Sequence, residues 1–255
     1  MKKLLWLVCF ICVFNNHLCA EKPSLHVCTV ANYQAPGLIN LINSGKAFGI
    51  DVKVIGMNQS YPNHFTKIRK MRQSLDHLPS SDVVLFVDAF DVLLLASKEN
   101  ILNKFLERKI PCIFSAERRY YPKNSGSDLD IPYPSSKTSF RYLNSGSYIG
   151  YVGYIKMMLD EIIDNQYSIP FTRYRRLNDD QYHCHRYFLQ NQETIRLDKK
   201  TELFLPLADI EKEELVINSE NRTVYVKETK NFPLIIHGNG PGKEMYQEIA
   251  KLFFD

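Results

Sequence analysis

Two carboxylates, Asp88 and Asp91, close the run Asp82-Val83-Val84-Leu85-Phe86-Val87-Asp88-Ala89-Phe90-Asp91. An unbroken apolar stretch of this length suits a strand buried on both faces of a parallel sheet. Ligands of such sheets collect beyond the carboxyl ends of the strands, so the pair falls where a divalent cation and a phosphate would meet. In a continuing strand, residues at this spacing point to opposite faces, and convergence therefore requires a turn between them. Hard oxygen donors favour Mn²⁺ or Mg²⁺. The competing reading is a solvated acidic loop, with Asp88 as a helix cap.

Further residues could join this chemistry. Leu234-Ile235-Ile236 leads into His237-Gly238-Asn239-Gly240-Pro241-Gly242-Lys243. Glycines let the backbone approach a phosphate, and exposed N–H groups bind it. His237 is then a candidate third metal ligand, and Lys243 adds a cation at the start of the last helix. The plain alternative is a structural histidine before an ordinary connection. Asn178-Asp179-Asp180-Gln181 precedes an expected helix, as capping residues or as carboxylates that orient an acceptor hydroxyl. His183 and His185 diverge on a helix and are expected at the surface. Small residues in Leu143-Asn144-Ser145-Gly146-Ser147 signal a turn or close ligand approach. Glu117, at the end of Ile113-Phe114-Ser115-Ala116, offers another carboxylate at the same sheet edge, or simply an exposed strand-end glutamate.

Strands over 25–31 and 52–55 should position these groups, with helices over 37–48 and from Phe65 to Leu78. This alternation predicts βαβ units and a mostly parallel sheet. A helix carries Ile101, Leu102, Phe105 and Leu106, and a strand covers 111–116. Residues 118–139 read as loop. A strand over 142–152 and a helix over 154–166 follow. Short β-like segments at 194–197, 203–207, 223–227 and 233–236 precede a closing helix over 243–254. The fold expected is α/β, a mostly parallel Rossmann-type sheet flanked by helices, with a smaller β-rich C-terminal part.

Composition is that of an ordinary globular chain of 255 residues, 45% hydrophobic and 24% charged. Its net charge of +4 gives no cause to expect a nucleic-acid partner. Met1-Lys2-Lys3, the apolar run Leu4 to Phe14 and Leu18-Cys19-Ala20 read as a signal peptide over residues 1–20. That run is too short for a stable membrane span. Residues 21–255 are then one domain entering the secretory pathway, in the endoplasmic reticulum lumen or secreted. Cys28, Cys112 and Cys184 remain, with Cys28 and Cys112 in expected buried strands. Sequons at Asn58-Gln59-Ser60 and Asn221-Arg222-Thr223 would mark surface loops if glycosylated.

In this order the segments resemble the glycosyltransferase domain of the procollagen-lysine hydroxylases. The matching signatures are Val87-Asp88-Ala89-Phe90-Asp91-Val92, Phe114-Ser115-Ala116-Glu117, Leu143-Asn144-Ser145-Gly146, Asp179-Asp180-Gln181 and Ile236-His237-Gly238-Asn239-Gly240-Pro241. The resemblance implies a GT-A-like transferase that moves galactose or glucose from a UDP-sugar with Mn²⁺. Its acceptor would be a hydroxyl of a protein or glycan, such as hydroxylysine in a collagen-like chain. By position, Asp88, Asp91 and His237 match the metal ligands. Thr29, Lys67, Phe90, Asn239, Gly240 and Lys243 match the nucleotide contacts. Glu117, Asn144, Asp179 and Asp180 match the sugar and acceptor side, where Asp180 is the first choice of base. Phe90 stands where the family usually carries Tyr, and Lys70 where collagen-modifying members tend to carry Trp. Rival readings of the acidic pair are a catalytically inactive nucleotide- or glycan-binding module and a metal-dependent phosphohydrolase.

Overall fold

The computed structural model describes residues 22–122, 132–168 and 177–254. The expected signal peptide, part of the 118–139 loop and the basic run at 173–176 lie outside the described residues.

Strands β1 (Leu25–Val30), β2 (Val52–Ile55) and β3 (Val83–Val87) pair in parallel, in the order β2-β1-β3. Helix α1 (Pro36–Ala47) connects β1 to β2, and α2 (Phe65–Ser74) connects β2 to β3. Such crossovers are what parallel neighbours need. Pro36 at the first turn suits α1, because its missing N–H would have no intrahelical partner there. Beyond β3 the sheet continues through β6 (Tyr142–Tyr151), β5 (Cys112–Glu117) and β7 (Ile195–Leu197). Only β6 runs against the others, antiparallel to both β3 and β5. The sheet is thus mostly parallel, as expected.

Every residue of β3 is buried, and alternation sends its side chains into two cores. Val84 and Phe86 join α2, helix α4 (Val152–Asp164) and helix α5 (Asp180–Gln190) on one face. Val83, Leu85 and Val87 join α1 and helix α3 (Lys98–Leu106) on the other. A third layer holds the small sheet of β4 (Val92–Leu94), β11 (Ile235–His237) and β8 (Phe204–Pro206). It also holds the hairpin of β9 (Leu215–Asn218) and β10 (Thr223–Val226), and helix α6 (Lys243–Phe254).

Two features differ from expectation. Strands β4 and β9 were not anticipated; each is short and lacks a clear alternation of its own. His183 and His185 are buried, at 3% and 0% exposure, rather than on the surface. The spacing rule presumes a helix with one wet face, whereas α5 is buried almost all round. His185 Nε2 donates to the Tyr121 carbonyl at 2.9 Å, and its Nδ1 faces the Tyr133 hydroxyl at 2.8 Å. That hydroxyl in turn accepts the Leu143 N–H at 2.7 Å. Burial lowers both imidazoles to about 4, so they stay neutral as packing groups.

Candidate active site

The carboxyl ends of β1, β3 and β5 and the start of β6 meet at one edge of the sheet. There the chain leaves β3 and bends through Asp88-Ala89-Phe90-Asp91 before entering β4. The bend is what turns the two carboxylates toward each other. β4 pairs antiparallel with β11, His237 opposite Val92, and Gly238 N–H donates to the Asp91 carbonyl at 2.7 Å. This ladder carries an imidazole from far along the chain to the acidic pair. His237 Nε2 lies 3.3 Å from Asp91 Oδ1 and 3.8 Å from Asp88 Oδ2. One ligand atom from each of the three residues falls within 4.8 Å of the others. Two carboxylates and an imidazole converging behind a buried wall form a donor set suited to a hard or borderline divalent cation. Burial would raise the Asp91 carboxyl, but His237 beside it outweighs this and pulls it below the usual range. For His237 burial works downward, and the facing Asp91 and Asp88 carry it upward.

β6 provides the floor. Phe114 pairs with Tyr148 but Ser115 with Asn144, so Ser145, Gly146 and Ser147 bulge from the β5 pairing. Asp88 N–H donates to the Gly146 carbonyl at 2.7 Å. A Cβ on Gly146 would overlap the His237 ring and lie 2.7 Å from Asp88 Oδ2, so only glycine fits.

Lys67 projects from α2 between two carboxylates, 2.9 Å from Asp88 Oδ1 and 2.8 Å from Asp180 Oδ2. Burial opposes its charge, but Asp180 and Asp88 hold it protonated well above the ordinary lysine value. Asp180 also accepts the Ser145 hydroxyl at 3.1 Å. Asp179 Oδ1 accepts the Tyr182 N–H at 3.0 Å and caps α5.

Glu117 is buried, not an exposed strand-end residue. It accepts Gln181 Nε2 at 2.8 Å and Asn239 Nδ2 at 2.7 Å, and the Asn144 side chain helps hold its carboxyl down. Burial nevertheless pushes its carboxyl up to about 7. Asn144 Oδ1 faces Gly146 N at 3.0 Å and His237 Nδ1 at 3.2 Å.

The remaining sequence candidates ring this centre. Phe90 stacks on Tyr33, centroids 4.9 Å apart. Thr29 is fully buried in β1 with a hydroxyl that has no hydrogen-bond partner among the described residues. Asn239 leads into a 3₁₀ turn over Gly240–Gly242, with Gly240 at φ +53, and Lys243 opens α6 on the exposed side. Sequence reasoning missed Tyr61, whose phenol burial lifts to about 12, with Lys67 opposing and Asp180 and Asp88 adding. It also missed Ser145 as a partner of Asp180. Both are common residue types, Tyr61 in a loop and Ser145 within β6, and no spacing marks them.

Three comparisons bear on this arrangement. Residues 21–252 match the family model described as the PLOD GT domain. The chain is 30% identical over 237 residues to procollagen-lysine,2-oxoglutarate 5-dioxygenase 2 of Mus musculus, covering 86% of this chain and 30% of that protein. It is 30% identical to the multifunctional procollagen lysine hydroxylase and glycosyltransferase of Caenorhabditis elegans, covering 95% of this chain and 34% of that one. The chain thus spans about a third of the length of these relatives. The crystal structure of a glycosyltransferase involved in glycosylation of the major capsid of PBCV-1 matches 89% of the chain and all of its own, with TM-score 0.51 and 12% identity. That likeness concerns the fold. With nearly its whole length matched by the family model and its α/β architecture shared with a glycosyltransferase, the chain belongs to the PLOD GT domain family.

Proposed function

We propose that this glycosyltransferase domain is a Mn²⁺-dependent hexosyltransferase, moving galactose or glucose from a UDP-sugar to a hydroxyl acceptor. Hydroxylysine of a collagen-like protein is the acceptor class suggested by the relatives' names. We read residues 21–255 as one such domain, delivered by its signal peptide to the lumen of the secretory pathway. No helix among the described residues is long and apolar enough to cross a membrane. The observation that carries the reading is the convergence of Asp88, Asp91 and His237 beside the Lys67–Asp180 ion pair.

Asp88, Asp91 and His237 would hold the cation. When bound, it supplies Lewis-acid neutralisation of the charge that develops on the departing diphosphate. The backbone N–H groups of Asn239 and Gly240 and the Lys243 ammonium would serve the same leaving group. Phe90 offers its ring to the uracil, and the partnerless Thr29 hydroxyl suits a nucleotide contact. Asp180, steadied by Lys67 and Ser145, orients the acceptor hydroxyl and takes its proton. Asp179 contributes by fixing the start of the helix that carries Asp180.

The test is a screen of UDP-galactose and UDP-glucose against hydroxylysine peptides, with Mn²⁺ or with chelator, recording product mass. Addition of one hexose that depends on Mn²⁺ is expected. Failure to transfer sugar or release UDP with either donor, at saturating Mn²⁺, rejects the reading.

A further inference from the structure

Glu117 looks at first like a second catalytic carboxylate, because it ends a strand at the active edge and burial raises its carboxyl. Its contacts describe a different job. Among the described residues it accepts hydrogen bonds from side-chain amides, Gln181 at 2.8 Å and Asn239 at 2.7 Å, with the Asn144 amide also acting on its carboxyl. Asn239 follows the β11 strand end, and Gln181 lies in the first turn of α5, so the carboxylate ties the diphosphate turn to the helix bearing Asp180. Amide donors on a group buried to 3% exposure leave it poorly placed to collect a proton from a substrate.

The Asn144 contact reaches further. An asparagine amide can sit either way round, and here its neighbours decide. The Gly146 backbone N–H, a donor only, lies 3.0 Å from Oδ1. The Glu117 carboxylate, an acceptor only, is held down by the Asn144 side chain, as an NH₂ turned toward it would do. A flipped amide would set donor against donor at Gly146 and acceptor against acceptor at Glu117. Oδ1 is therefore the atom 3.2 Å from His237 Nδ1, and that nitrogen must carry the hydrogen. His237 Nε2 is left as the atom turned to Asp91 and Asp88. Partners that fix a ligand histidine in this way typically change metal affinity by about 10- to 100-fold when removed.

We propose that Glu117 and Asn144 are positioning residues that act in series. Glu117 locks the Asn144 amide, and Asn144 locks the His237 ring with Nε2 aimed at the cation. This rests on the metal-dependent reading above. It assigns to the pair a role distinct from contact with sugar or acceptor.

Mn²⁺ affinity in the presence of UDP, measured by calorimetry, tests it without reference to turnover. Asn144→Leu, which removes the acceptor on Nδ1, should weaken Mn²⁺ binding roughly 10- to 100-fold. Asn144→Asp combined with Glu117→Gln keeps that acceptor and exchanges donor and acceptor between the two side chains, and should hold affinity within about threefold of wild type on the same reasoning. Glu117→Leu should weaken binding as well, and the double leucine variant should be no worse than Asn144→Leu, because both act through one imidazole. Unfolding in chelator checks that each variant is folded; if Glu117→Leu is not, the contrast between Asn144→Leu and the exchanged pair decides. Wild-type Mn²⁺ affinity in Asn144→Leu overturns the proposal. So does Glu117→Leu with wild-type affinity and no turnover, which would return Glu117 to the substrate. A wild-type chain that binds no Mn²⁺ removes the metal reading itself, and this inference with it.

Discussion

Asp88 and Asp91 are not equivalent partners of His237. Asp91 lies closer, at 3.3 Å, and shares its backbone carbonyl with Gly238 of the same strand end. Asp88 divides its carboxylate between the ligand cluster and Lys67. Alanine at either position should cost roughly 3 kcal/mol of transition-state stabilisation, about a hundredfold in rate, as for loss of one preorganised charge partner. Hexose transfer at saturating Mn²⁺, with the melting temperature in chelator as the folding control, measures it. Gly146→Ala makes a sharper case, since the added methyl would overlap the His237 ring. Its expected outcome is loss of most Mn²⁺-dependent transfer, and near-native activity would show that β6 can yield there. At this scale the acidic pair was legible because an apolar run ends on it. His237 was legible only as a strand-end histidine before glycines. The roles of Asn144 and Glu117 were not, because a hydrogen-bond network between distant strands leaves no periodic trace.

Elements with strong periodicity were readable almost to the residue. β2 and α6 fall where the apolar spacing sets them, and α1 begins one residue early, at Pro36. β4 and β9 escaped notice because their short apolar runs lack the flanking glycines, Gly49 and Gly56, that bracket β2. α5 misled for the opposite reason: a helix buried nearly all round has no polar face to report. Its histidines have a measurable consequence. His183 and His185 have folded values of about 4, below the unfolded 6.5. Their contribution to stability is therefore complete above about pH 6.5 and is lost as pH falls toward 4. By pH 5 the loss should approach about 2 kcal/mol for each. Glu117 and Asp198 act in the other direction. Burial raises them to about 7 and about 6, so their contribution is present at low pH and fades as pH rises through those values. Urea denaturation at pH 5 and pH 7 should therefore show a smaller difference in His185→Gln than in wild type. An unchanged difference would mean that His185 is already protonated in the fold.

For the whole molecule, the proposed nucleotide site draws on α2, β1, the β3–β4 bend, β6, α5 and the turn before α6. Ligand bound across so many elements should stabilise all of them together. At a hundredfold excess over Kd the gain is about 2.7 kcal/mol. UDP with Mn²⁺ should accordingly raise the melting temperature of the whole transition, while UDP with chelator should raise it less. Equal shifts in the two conditions would argue against a bridging cation.

The short ladder between β4 and β11 sets a schedule as well as a geometry. His237 reaches Asp91 only once the strand holding it has docked between β4 and β8, long after the acidic pair in chain order. During synthesis, the N-terminal βαβ units can therefore assemble before any complete ligand set exists. A ribosome-bound or truncated chain ending before Leu234 would hold Asp88 and Asp91 without their third partner, and should be unable to spend nucleotide sugar. Competence would thus be coupled to the docking of β11, and copies that have not reached it should stay inert.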